Sequence, residues 1–124
     1  MKTTLNQIRA HGPCQSGWRK LLKHLGKTEA DDAPLSILAI LDSNGLDDAL
    51  WCLRAVEGHD REIRLYAVWC GRQIQHLMID KRSLDALDVA EQFASGMATR
   101  DQLEKARAAA VAAAWDAAGD ARAA

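Results

Sequence analysis

Residues Ile37 to Cys70 read ILAILDSNGLDDALWCLRAVEGHDREIRLYAVWC, and this stretch decides the fold. Leu35 to Asp42 is short and mostly apolar, the pattern of a helix buried on several sides. Asn44-Gly45 ends it, because both residue types tolerate positive φ. From Leu46 the pattern restarts, with Leu46, Ala49, Leu50, Leu53 and Val56 on one face. Asp47 and Asp48 fall in the first turn, where negative charge is favoured. Gly58 breaks this helix, and Asp60 caps the next, from about Arg61 to Ile79. Its main stripe is Ile63, Tyr66, Ala67, Cys70, Ile74, Leu77 and Met78; a second stripe, Leu65, Val68 and Trp69, lies opposite. A helix apolar on two faces is usually covered on both, which places this one at the centre of a bundle.

Upstream, Pro13 and Pro34 each stand where a helix would begin, since proline in the first turn loses no needed donor. Trp18, Leu21, Leu22 and Leu25 recur at helical spacing, and Gly26 supplies the stop. LGKTEADDAP follows as a polar linker. Downstream, Ser83 is the candidate cap of a helix through Ser95 that carries Leu84, Leu87, Ala90 and Phe93. Thr99 and Gln102 match a capping box. The last helix, Arg100 to about Ala118, has a stripe of Leu103, Ala106, Ala110, Ala113 and Ala117, with Val111 and Trp115 as a bulky ridge beside it. Its small side chains permit close helix approach, against the chain's own bundle or a second copy. Strand-like alternation is absent. The expectation is an all-α protein: one domain over 1–124, an irregular compact bundle of six or seven short helices around a central helix near 61–79, frayed after about 118.

Composition narrows function by exclusion. The 124 residues carry 48% hydrophobic and 27% charged residues and a formal net charge of -1. That is a globular balance with no global field for nucleic acid or an acidic membrane. No apolar run approaches the roughly 18 residues of a spanning helix, and MKTTLNQIRAHG lacks a signal peptide's apolar core. Cys14, Cys52 and Cys70, odd in number and widely spaced, fit a reduced, cytoplasmic protein.

Site candidates follow from surface chemistry. CxxC, HxxxH and HExxH are absent, so zinc spacing is missing, and neither a metal nor a cofactor is expected. Cys70 reads as core; Cys14, at a helix start, is the one thiol read as exposed, with no base beside it in sequence. Asp42, Asp47 and Asp48 read as turn and cap chemistry, without the ligand alternation of a calcium loop. Arg19, Lys20, Lys23 and Lys27 form a basic face that Glu29, Asp31 and Asp32 can neutralise locally; nucleic acid is the minor reading for it. Trp51 lies about 150° from the centre of the Leu46/Ala49/Leu50/Leu53 face, flanked by Asp47, Asp48 and Arg54. An outward tryptophan beside charges is a typical interface anchor, so these four residues are the candidate partner-binding face. Residue chemistry alone therefore selects no function; no catalytic or metal-binding set stands out, and the outward tryptophan is the one surface feature that favours a binding role.

Four segments carry a family resemblance: LLKHLGK at 21–27, ILDSNGLDDALWCLRAV at 40–56, DREIRLYAVWC at 60–70 and AAAWDAAGDA at 112–121. Together they resemble small bacterial and phage-encoded immunity proteins of the Imm-5-like type. The resemblance implies an all-helical, non-enzymatic protein that binds and neutralises a protein partner. That partner would be a toxin or, for phage-borne relatives, a host defence component, which includes anti-CRISPR action. It carries over no binding residues, and the tail here is shorter and less regular than the repetitive tails of that group.

Overall fold

The computed structural model describes residues 1–124. The chain is all-α, with seven α-helices, two short 3-10 turns and one pair of two-residue strands. It divides into two units, Met1–His59 and Asp60–Ala124.

The first unit runs β1 (Lys2–Thr3), α1 (Leu5–Ala10), α2 (Gln15–Leu25), β2 (Leu35–Ser36), α3 (Ile37–Asn44) and α4 (Leu46–Cys52), closing in a 3-10 turn at Leu53–Ala55. Leu5, Ile8, Leu21, Leu35, Ile40, Ala49, Cys52 and Ala55 form its core, with Trp18, Leu22, Leu25 and Trp51 packed against it. The helical spacing read for α2 is thus the packed face. Gly26 ends α2 at φ 64°, and Gly45 separates α3 from α4 at φ 94°. Both conformations suit a residue without a Cβ.

Two starts differ from the sequence expectation. Pro13 precedes the α2 cap Cys14, and Pro34 precedes β2, so neither occupies a first helical position. Helix α3 begins at Ile37 with Ser36 as its cap. Leu35 and Ser36 are extended because they pair with the N-terminal strand, antiparallel, Lys2 opposite Ser36 and Thr3 opposite Leu35. A two-residue strand leaves no alternation to read. Thr3 is buried, and its hydroxyl donates to the Ala55 carbonyl at 2.6 Å, tying the N-terminus to the end of the unit.

Helix α4 presents a different face from the one expected. Ala49 and Cys52 are its buried residues, whereas Leu46 is 58% exposed and Leu50 also faces outward. Apolar residues occur on every side of this two-turn helix, so its own pattern does not choose a face. Packing against α3 across the Gly45 turn chooses it.

The second unit comprises α5 (Asp60–Gln73), α6 (Lys81–Ala94) and α7 (Arg100–Ala123), with a 3-10 turn at Gln75–Leu77 between α5 and α6. Helix α5 stops short of Ile79 because Ile74, Leu77 and Met78 bond three residues back, to Gly71, Ile74 and Gln75, rather than four. Helix α6 is the middle element, packed on both α5 and α7. Two arginines fasten the layer. Arg72 reaches Asp88 at 2.8 Å and Glu91 at 2.7 Å, joining α5 to α6. Arg82 reaches Asp80 and Asp116, each at 2.8 Å, joining the start of α6 to α7. Asp80, not Ser83, caps α6, its carboxylate accepting from the Arg82 N–H at 2.8 Å. The Thr99–Gln102 capping box forms as read, and α7 continues to Ala123.

The unit buries little. Only Val68, Ala94 and Ala113 are buried. The reading of α5 as covered on both faces is corrected: Val68 from its second stripe is buried, while Tyr66, Trp69, Cys70 and Ile74 are exposed. Cys70 is therefore a surface thiol rather than a core residue. The side of α5 that meets α6 carries Val68 and Gly71, between the centres of the two stripes, so each stripe keeps exposed members. No helix of the chain is long and apolar enough to cross a membrane.

Candidate functional site

Trp51 sits on α4 half-buried against the first unit's core. The expected outward anchor is thus turned inward by the same rotation that exposes Leu46 and Leu50. Arg54, one turn on, folds back over it. The guanidinium carbon lies 4.3 Å from the indole centroid, and Nε donates to the Trp51 carbonyl at 2.8 Å. Asp47 is exposed in the first turn, while Asp48 is half-buried. The structure therefore brings Trp51 together with Arg54 on one side and Asp48 on the other, and leaves Asp47 in solvent.

Behind Trp51 lies a cavity of about 120 Å³. Pro13, Cys14, Gly17 and Trp18 wall it from the start of α2; Asn44, Asp48 and Trp51 wall it from α3 and α4. Ile8, Leu21, Ile40 and Cys52 complete its apolar lining. Asn44 is the staple: its amide donates to the Gly17 carbonyl at 2.9 Å and to Asp48 Oδ2 at 2.8 Å. The Cys14 thiol caps α2, accepting from the Gly17 N–H at 3.4 Å. A Cβ at Gly17 would lie 2.8 Å from Asp48 Oδ2 and 3.1 Å from Cys14 Sγ, so thiol, glycine and carboxylate crowd together there. Burial, reinforced by the Asp48 charge and opposed by Arg54, pushes the Cys52 thiol up to about 11, which keeps it neutral at physiological pH.

Small-molecule sites typically enclose about 300–1,000 Å³. This cavity is well below that and matches the volume of one inserted side chain. No histidine lines it, and no group of three or more His, Cys, Asp or Glu in the chain is gathered to hold a metal ion.

The basic face on α2 is divided. Arg19, Lys20 and Lys23 are exposed, but Lys27 is held by Asp31 at 2.6 Å. That pairing lowers the Asp31 carboxyl below its ordinary value, chiefly through the Lys27 hydrogen bond.

Residues the sequence reading assigned elsewhere carry the larger surface. Trp69 is 58% and Trp115 68% exposed. Tyr66 stacks on Trp69 with centroids 6.0 Å apart, and Ile74, Leu77 and Val111 are also exposed. One signal was present: Trp115 lies well off the small-residue stripe of its helix, so it points away from whatever that stripe packs on.

No protein-family model matches this chain, and neither a curated protein nor a solved structure does.

Proposed function

We propose that this chain is a non-enzymatic, cytoplasmic protein-binding inhibitor that occupies and neutralises a protein partner. The observation that carries the reading is the exposure of two tryptophans, Trp69 and Trp115, on a unit in which only Val68, Ala94 and Ala113 are buried. Tryptophan dominates interface hot spots because it contributes a large area at low conformational cost. Covering either indole with another protein's surface would remove a large apolar area from water. The three free thiols suit a reducing compartment.

The partner classes are those of the resemblance: a toxin, or a host defence component such as a CRISPR effector complex. The test is affinity capture from a bacterial lysate with the full chain, followed by reconstitution from purified components. A stoichiometric protein whose own activity falls on titration with the chain is the expected result. A captured protein left fully active, or nucleic acid in place of protein, overturns it.

A further inference from the structure

Resting on that protein-binding reading, we propose that the open side of the α5–α6–α7 layer is a groove for an acidic amphipathic helix of the partner. Two depressions, of about 290 and 490 Å³, share Arg64, Ala90 and Leu103 and so form one continuous groove. Its floor comes from α6 at Ala86, Leu87, Ala90 and Phe93, and its walls from α5 and α7. Three packed helices with an open apolar furrow lack the fourth member of a four-helix arrangement. Leu103 to Ala114 spans roughly 16 Å at 1.5 Å per residue, room for about three helical turns. Ala67, Ala90, Ala110 and Ala114 keep the surface low, so an incoming helix with large side chains can approach closely.

Charge selects the occupant. The charged residues lining the groove are Arg64 on the α5 side and Arg107 on the α7 side; no carboxylate lines it. Arg72 and Arg82 are engaged by carboxylates of their own chain. Arg64 instead lies over the Phe93 ring at 4.9 Å, its planar edge left for a partner's carboxylate. A helix with leucines at i, i+3, i+4 and i+7 and glutamates on its flanks satisfies floor and lips together.

The experiment uses the full chain and two synthetic helical peptides with that leucine pattern, one flanked by glutamate and one by lysine, titrated by calorimetry. The glutamate peptide should bind at least about tenfold tighter, a difference of about 1.4 kcal/mol. Arg64→Glu with Arg107→Glu should reverse the preference while the circular dichroism spectrum is unchanged. Ala90→Trp, filling the floor, should abolish both. Equal binding of the two peptides, binding that survives Ala90→Trp, or no binding at about 1 mM overturns the proposal. So does a dimer in sedimentation that Ala90→Trp dissolves, because the groove then holds a second copy. If the Ala90→Trp chain still captures its stoichiometric protein from lysate, the groove is wrong and the protein-binding reading stands. If the wild-type chain captures none, that reading itself fails.

Discussion

Gly71 of α5 and Leu87 of α6 are in such close apposition that a Cβ at position 71 would stand 2.5 Å from Leu87 Cδ2. The glycine is there for space, since it lies inside a helix where alanine would be preferred by about 1 kcal/mol. Leu87 also forms part of the groove floor, so the contact sets both the α5–α6 spacing and the groove shape. Gly71→Ala should destabilise the protein by about 1–3 kcal/mol, the overpacking range. In a double-mutant cycle with Leu87→Ala the two losses should be less than additive, because the clash is made only when both large groups are present. Thermal denaturation of the single and double variants decides it; a single variant more stable than wild type would mean that Leu87 yields freely.

Thr3 makes the one buried polar tie between the N-terminal strand and the Ala55 carbonyl. Thr3→Val keeps the shape and removes the donor, leaving a carbonyl unsatisfied. The expected cost is about 1–3 kcal/mol, read from urea denaturation midpoints at unchanged slope. A change below about 0.5 kcal/mol, the scale of ordinary surface substitutions, would show that the tie adds little.

Thiol chemistry separates the three cysteines. Cys14 and Cys70 are exposed and Cys52 is buried, so a thiol reagent should label two groups quickly and the third only as the first unit opens. The Cys52 thiol lies at about 11 against an ordinary 9.0. Because the folded state holds this proton more tightly, the stabilisation is complete below pH 9 and is lost as pH rises from 9 to 11. The loss is up to about 3 kcal/mol. Cys52→Ala should remove this alkaline component; an unchanged stability profile between pH 9 and 11 in that variant would refute the assignment.

Trp51 packs on the core, so Trp51→Ala should cost stability, about 2–3 kcal/mol for a half-buried aromatic, besides any effect on binding. Arg54→Ala is the cleaner probe of this face. It removes the guanidinium from the indole at about 0.5–1 kcal/mol and leaves the core intact. If this face touches the partner, Arg54→Ala with Asp47→Ala should weaken the reconstituted complex about tenfold at a nearly unchanged melting temperature. An unchanged affinity would exclude the face.

The candidate site was only partly legible in the sequence. Trp51, Asp48 and Arg54 were identifiable together because they share one short segment. Their cavity was not, because Cys14, Gly17 and Trp18 reach it from some thirty residues away, and the Asn44 amide that joins the two walls reads in sequence only as a turn residue. The groove was equally hidden. Leu103 and Ala110 were read in the small-residue stripe, but Ala114 was not, and which side of α7 is roofed depends on how α5 and α7 flank α6.

What the sequence determined by itself is where helices occur and where several of them end. The Thr99–Gln102 box, the Gly26 stop and the Gly45 turn are all settled by groups within four residues of one another, so local chemistry suffices. Tertiary structure decided which apolar side chains are covered. Helices α4 and α5 carry apolar residues on more faces than their neighbours can bury, and burial is a property of the pair rather than of either helix. Ala49 and Cys52 went inside while Leu46 stayed out, and Val68 was covered while Trp69 and Cys70 were not. The two-residue strand pair has the same origin, since Thr3 and Leu35 become strands only by meeting.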